Sequence, residues 1–366
     1  MKQRKIYFLT FGDIPFDQRM QRIWSSLHGA GLEIEVIGRN LTKISVDEFP
    51  YKIKRFSPIF KSGILAYAEF NLRSFFYLIG RKFSCLSCVD LDTLITGRFL
   101  KYFKNFELVY DAHEYYTESP EIVDRPRVKA FWEKIADTCI PKVNHAYTVS
   151  QSIADEMTER YHVDFQLVRN LPYKSHEPEH DIHKVEAYIL YQGALNLGRG
   201  LEQLIISMIN VDGKKLYLAG EGDLKQHLTD LTESHGLEDK VIFLGNIPPQ
   251  RLKEITLKAW LGVNLLENRG KSYYYSLANK FFDYIQCGIP QLCIDFPEYN
   301  TLNKQYDVAL LLSDIHPDNI SRAINQLSDD QILYKTLALN TIKASQDLNW
   351  ENESIALIEI YRNIKI

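Results

Sequence analysis

The sequence predicts an α/β protein built from two doubly wound, Rossmann-like domains. Two observations carry this expectation. Short β-branched or aromatic runs alternate with helical patterns from Ile6 onward, and the alternation stops at a polar passage and then starts again. A length of 366 residues accommodates two domains of ordinary size.

In the first half a strand over residues 6–11 ends at Gly12, and Met20, Ile23, Trp24 and Leu27 then recur at helical spacing. Gly29 to Gly31 close that helix, and residues 34–38 begin the next strand. Residues 93–96, 108–110 and 146–149 read as further strands. The structure-poor, charged passage 172–181 reads as a linker, which sets the boundaries at 1–172, 173–185 and 186–345, with a terminal helical segment 346–366. Strands of the second half fall at 188–191, 215–218, 241–244 and 261–266, and Ile355, Ile358 and Tyr361 share one face of the last helix.

Hydrophobic residues at 45% and charged residues at 25% describe a globular chain. A formal charge of −4 gives no field for a polyanion, so nucleic acid is excluded as a partner. Five cysteines are an odd number at low density, which fits a reducing compartment, and Cys85 and Cys88 have no second pair to complete a zinc site. Residues 1–5 run straight into a strand without an apolar leader, so the expected location is cytoplasmic. Residues 56–83 mix aromatics with Lys61, Arg73, Arg81 and Lys82, a composition that suits peripheral contact with the inner face of a membrane, or a buried helix pair.

The densest functional signal is the stretch 272–290. Ser276, Asn279, Lys280 and Asp283 step by three or four, opposite Leu277, Phe281, Tyr284 and Ile285, so a short helix capped by Ser276 and stopped by Gly288 presents a hydroxyl, an amide, an ammonium and a carboxylate together. That face suits a polyol and its phosphates. Residues 191–200 form a glycine-rich turn between strand and helix, where Gly193 lets backbone approach a phosphate and Arg199 can pair with two of its oxygens. A weaker Gly-x-Gly turn holds Glu221, and another strand-end loop holds Asn246.

This stretch resembles the donor-binding helix of GT-B glycosyltransferases in glycosyltransferase family 4 (glycosyl transferases group 1), whose hallmark is two glutamates separated by seven residues. Asp283 stands at the second and Tyr275 at the first, so the chain is similar to a branch with a Ser-Leu-Pro-Asn-Lys-x-x-Glu-Tyr version, with Ala278 in place of proline. The resemblance implies two domains facing a cleft, with the terminal helix crossing back to the first. It implies that Asp283 holds the ribose hydroxyls, that Arg199 and Lys280 face the diphosphate with Ala194 where a second cation is usual, and that Gly193, Glu221, Asn246, Ser276, Leu277 and Asn279 complete the donor site.

Residues 110–118 follow a first-half strand and resemble the family's Asp-Ala-His-Glu motif. The implied roles are donor-sugar contact for His113, and orientation or acceptor binding for Glu114 and Glu118. Gly12 and Arg19 (with Arg22) occupy the acceptor side, as residues that would meet an anionic acceptor or as solvated helix charges. Asp90-Leu91-Asp92 imitates a metal motif of the other major glycosyltransferase fold and is set aside, so no metal is expected.

The resulting expectation is a retaining hexosyltransferase in polysaccharide or glycoconjugate biosynthesis. It needs no cofactor, uses a UDP- or GDP-linked sugar as donor, and takes a saccharide or lipid-linked saccharide as acceptor. A nucleotide-sugar 2-epimerase of the same architecture and a catalytically silent nucleotide-sugar-binding partner are the alternatives.

Overall fold

The computed structural model describes residues 5–42, 44–175, 186 and 188–364. The chain divides into two compact units, Met1–Asn170 together with Glu353–Ile366, and Leu171–Asn352. Most of the expected linker, 176–185, lies outside the described residues.

The first unit is built on a parallel sheet of β1 (Lys5–Asp13), β2 (Glu33–Arg39), β3 (Lys52–Phe56), β4 (Cys85–Val89), β5 (Glu107–Ala112), β6 (His145–Thr148) and β7 (Phe165–Leu167), in the order β3-β2-β1-β4-β5-β6-β7. Ile6 pairs with Ile34 on one side and Cys85 on the other, and Ile6, Tyr7, Phe8 and Leu9 are all buried. A strand covered on both faces needs such a continuous apolar run. Asp17 caps the helix Gln18–Gly29 by accepting the Met20 N–H at 3.0 Å.

The second unit repeats the pattern with β8 (Tyr188–Gln192), β9 (Lys215–Ala219), β10 (Val241–Gly245), β11 (Leu261–Asn264), β12 (Gln291–Ile294) and β13 (Ala309–Leu312), in the order β10-β9-β8-β11-β12-β13, all parallel. In each sheet the chain order reverses beside the first strand, between β1 and β4 and between β8 and β11. In doubly wound sheets that switch point, at the carboxyl ends of the strands, is where ligands settle.

Three expectations need correction. Residues 93–96 belong to the helix Leu91–Leu100, and the strand is the preceding Cys85–Val89. The Thr93 hydroxyl donates back to the Val89 carbonyl at 2.8 Å and the Thr96 hydroxyl to Asn71 Oδ1 at 2.7 Å, so both β-branched residues are accommodated in a buried helix. In the terminal helix, Trp350–Asn363, Ile355 is exposed and the buried residues are Glu353, Leu357, Ile360, Tyr361 and Ile364. Glu353 accepts from the Arg169 N–H at 2.7 Å, and the Tyr361 hydroxyl lies 2.8 Å from Ser87 Oγ, so this helix completes the first unit. The third concerns Ser276 and is described with its site. All five cysteines are free and buried.

Candidate functional site

In the second unit, the loop after β8 carries Gly193 and Arg199 and is laced to the loop after β9. The Gly193 N–H donates to the Ala219 carbonyl and the Leu195 N–H to that of Glu221, both at 2.9 Å. This lacing explains the Gly-x-Gly turn: a side-chain carbon at Gly220 would sit 1.9 Å from the Gly193 oxygen, and one at Gly222 2.5 Å from that of Leu195. Glu221 forms a salt bridge with Lys225 at 2.6 Å, and Oε1 of Glu221 lies 3.2 Å from the carbon position that Gly245 leaves empty. The exposed Asn246 follows directly, so the loops after β9 and β10 meet.

The polar helix is Asn279–Gln286, and it begins later than the side-chain spacing indicates. Ala278 occupies the N-cap with its N–H donated to the Tyr299 hydroxyl at 2.9 Å, while the Ser276 hydroxyl donates back to the Tyr273 carbonyl at 2.9 Å. Ser276 therefore closes the preceding short helix Lys271–Tyr274 and does not cap the next. Leu277, also ahead of the helix, is buried among Phe281, Phe282 and Tyr299. Asn279 is exposed, and Gly288 adopts φ 72° just beyond the helix end, as a stop residue does.

Lys280 and Asp283 point to the carboxyl edge of β8. Asp283 accepts from Gln192 Nε2 at 2.9 Å, and Gln192 Oε1 accepts from the Thr256 hydroxyl at 2.8 Å, so the last residue of β8 fixes the carboxylate. Lys280 is only 7% exposed. Its Nζ lies 3.7 Å from the Tyr191 ring centroid and 3.4 Å from the carbon position that Gly193 leaves empty. Among the described residues no carboxylate forms a salt bridge with it. Burial, and then the charge of Arg199, push the Lys280 ammonium well below its usual pKa. The Arg199 guanidinium stacks 4.6 Å from the Tyr273 ring centroid, and its buried Nε has no hydrogen-bond partner. The two cations repel each other, and among the described residues neither forms a salt bridge with a carboxylate, although the Asp283 charge partly offsets the repulsion at Lys280.

At the switch point of the first sheet, a cavity of about 150 Å³ is lined by Thr10, Gly12, Arg19, Asp90, Asp92 and His113, among others. The fold thus gathers Gly12, Arg19 and His113 at one place. The Arg19 charge is already committed: its guanidinium is 5% exposed and donates two hydrogen bonds to Asp111, at 2.7 and 2.8 Å. Tyr147 adds a third bond to Asp111 at 3.0 Å. Arg19 is therefore a wall of the cavity and not a free cation for an anionic acceptor, while Arg22 donates to Asn170 Oδ1 at 2.5 Å. The His113 imidazole stands half exposed at the rim, where crowding and the Arg19 charge hold it below its usual pKa. Its backbone N–H donates to Asp90 Oδ1 at 3.0 Å.

Glu114 faces a second hollow of about 640 Å³ with Tyr67, Trp132, Arg125 and Arg127. Glu118 is paired with Lys129 at 2.6 Å. An apolar groove of about 530 Å³ adjoins this hollow through Ile64, Tyr67, Phe131 and Trp132 and continues along Leu72, Phe75, Phe99 and Phe103. The only segment of 56–83 in this groove is the helix Gly63–Ile79, and no helix among the described residues is long and apolar enough to cross a membrane. Asp90 and Asp92, set aside in the sequence as an imitation of a metal motif, line the His113 cavity. Their placement depends on a backbone turn that residue spacing does not encode.

Residues 173–344 match the family model described as Glycosyl transferases group 1. A curated relative, the uncharacterized glycosyltransferase MJ1607 of Methanocaldococcus jannaschii, is 24% identical over 181 residues, 48% of this chain and 45% of that protein. The chain therefore aligns with less than half the length of that relative. Similar solved structures include a sucrose-phosphate synthase from Thermosynechococcus elongatus (TM-score 0.76, 17% identity, 98% of both chains). Another is Anabaena Alr3699/HepE in complex with UDP-glucose (TM-score 0.76, 14% identity, 98% of this chain and 99% of that one). A third is WaaG, a glycosyltransferase involved in lipopolysaccharide biosynthesis (TM-score 0.75, 13% identity, 97% and 99%). The chain has the GT-B fold, and residues 173–344, within its second unit, match the Glycosyl transferases group 1 model.

Proposed function

We propose that this protein is a retaining glycosyltransferase that takes a sugar from a nucleoside-diphosphate donor bound by the second unit and passes it to a saccharide acceptor bound by the first. The observation that carries this reading is the pair Arg199 and Lys280, two cations at the carboxyl edge of β8 that form no salt bridge among the described residues. As the bond between the anomeric carbon and the phosphate oxygen breaks, negative charge grows on the departing diphosphate. Fixed cations in a dry setting stabilise that charge without a metal. On this reading Asp283, held by Gln192, accepts from the ribose hydroxyls, and His113 is assigned to the sugar being transferred. The acceptor hydroxyl attacks on the face the diphosphate leaves, forming the new glycosidic bond as the old one breaks, and its proton passes to the diphosphate.

UDP-sugars are the first donors to test, because a structural neighbour was solved with UDP-glucose, and GDP-sugars are the second. A donor that supports transfer in the parent and loses it in Arg199→Ala is the expected result; full transfer by Arg199→Ala would remove the site assignment. Epimerised sugar released without any acceptor would favour the 2-epimerase reading instead.

The apolar groove supports an acceptor carried on a single aliphatic chain through a phosphate. Phe103 is 67% exposed and Leu72 59%, a large apolar surface for a protein in water. The groove's side-chain amide is satisfied internally, since Asn71 bonds Tyr67, Asp92 and Thr96, and most of the remaining lining is apolar. Arg125 and Arg127 stand in the hollow between the groove and Glu114, with no salt bridge among the described residues, and match a phosphate. Phe103→Asp is expected to lower transfer to a lipid-linked saccharide and to leave transfer to the same saccharide in free form unchanged. An equal loss with both would remove the lipid chain from the proposal.

A further inference from the structure

Asp90 adopts φ 59° and ψ 170°, a backbone conformation that only glycine takes without strain. Two hydrogen bonds hold it there. Its N–H donates to the Asp111 carbonyl at 2.9 Å, and its Oδ1 accepts the His113 N–H at 3.0 Å. The twist at the end of β4 turns the carboxyl into the cavity beside His113, with Oδ2 3.9 Å from the imidazole Nδ1. Asp92, in the first turn of the following helix, lines the same cavity. It is 8% exposed, and its Oδ1 has no hydrogen-bond partner. An unpartnered oxygen on a buried carboxyl that lines a cavity calls for a hydrogen-bond donor.

The chemistry of that ligand follows from the surroundings. No three ligand-type side chains among the described residues converge in a way that would hold a metal ion, so the pair is not a cation cage. An anion is disfavoured, because Asp17, Asp111 and Glu114 add to the acids around the cavity and the Arg19 charge is bound to Asp111. The cavity of about 150 Å³ admits part of a sugar ring, an amount of space equal to roughly five waters. Burial and the neighbouring acids raise the Asp90 pKa well above the usual carboxylate range, against the charge of Arg19. Burial and Glu114 push that of Asp92 up to about 7, against the charge of Arg39. A carboxyl that is protonated part of the time both donates and accepts, as a hydroxyl does.

We infer that Asp90 and Asp92 form the acceptor subsite, binding two neighbouring hydroxyls of a neutral saccharide beside His113. This rests on the glycosyltransferase reading and narrows it, because it assigns a neutral polyol to the place where the sequence pointed to an anion. In this assignment the strained backbone of Asp90 serves the direction in which it aims its carboxyl.

The test uses the full chain and reads binding apart from transfer. Saturation-transfer NMR with methyl glucoside, methyl galactoside and methyl mannoside is compared with methyl glucuronide, and UDP affinity is measured separately by calorimetry. The parent is expected to bind at least one neutral glycoside, and to bind the glucuronide at least tenfold more weakly. Asp90→Gly and Asp92→Ala are expected to weaken the glycoside at least tenfold and to leave UDP affinity within twofold. Glycine accepts the backbone conformation, so Asp90→Gly is expected to melt no lower than the parent, which separates a lost subsite from a lost fold. The proposal is overturned if the parent binds none of the neutral glycosides, if both variants bind them as the parent does, or if the glucuronide binds best. Failure of the parent to bind UDP would count against the donor assignment and leave the glycoside result to decide this one.

Discussion

The carboxyl edge of β1, β4 and β5 collects acids: Asp90, Asp92 and Asp111, with the single cation of the cavity, Arg19, tied to Asp111 by two hydrogen bonds. The carboxyl edge of β8 collects cations, Lys280 and Arg199, with no salt bridge to either among the described residues. Both edges are switch points of the same strand order, so topology cannot explain the difference. On the proposed reading, what each sheet binds follows from whether the charge at its switch point is already neutralised. A paired buried charge belongs to the fold, and an unpaired one waits for a ligand.

The largest expected effect contrasts the paired cation with the unpaired one. Asp111→Asn leaves the Arg19 guanidinium buried against a neutral amide, and breaking a buried pair in this way costs about 3–5 kcal/mol of stability. Urea unfolding is expected to show that loss, with UDP affinity unchanged in the fraction that folds. Arg199→Ala should behave in the opposite way: its stability changes by about 1 kcal/mol, the scale of the lost contact with Tyr273. Its transfer rate falls roughly 10²–10³-fold, the usual effect of removing one preorganised donor from a developing anion. If the two variants lost stability equally, the distinction between paired and unpaired cations would carry no information about function.

His113 sharpens the same comparison on the acidic side. Removing its imidazole with His113→Ala takes away a contact at the cavity rim without disturbing the backbone bond to Asp90. A loss of one hydrogen bond to a polar or charged partner corresponds to roughly 1.5–3 kcal/mol, or about ten- to 150-fold in kcat/KM. UDP affinity should stay constant. A variant that transfers at the parental rate would move the reacting sugar away from this cavity.

The sequence was most informative where a side chain's role depends on neighbours a few residues away. The apolar run of β1, the helical spacing of Met20 to Leu27, and Lys280 and Asp283 on one short helix are local facts, and the fold keeps them. Long-range facts were hidden. Arg19 looks like a solvated helix cation until Asp111, ninety-two residues away, is seen to bind it. Asp90 and Asp92 read as a misplaced metal motif because nothing in their spacing reveals a positive φ that aims one carboxyl at His113. Thr93 to Thr96 look extended because β-branched residues favour strands, and only the bonds to Val89 and Asn71 show why the helix accepts them. Ser276 has the residue type of a cap but bonds backward, so the cap falls to Ala278.

The smallest effect is a stability gain at the cationic edge. A buried ammonium without a salt-bridge partner among the described residues is a penalty in the ligand-free protein, and Lys280→Met keeps the aliphatic stem while removing the charge. A gain of roughly 1 kcal/mol is expected, alongside loss of donor binding, the usual trade at a functional site. The sign with pH follows from the depressed pKa. Between that lowered value and 10.5 the unfolded chain holds a proton that the folded chain does not, so this residue makes stability rise with pH across the window and fall as the solution is acidified. The methionine variant loses that slope. A bound diphosphate favours the charged form, so UDP binding to the parent takes up a proton, seen as a binding enthalpy that changes with the ionisation enthalpy of the buffer. Binding to the parent without proton uptake, at a pH where Lys280 is neutral in the free protein, would place the diphosphate away from Lys280 and leave Arg199 to hold it.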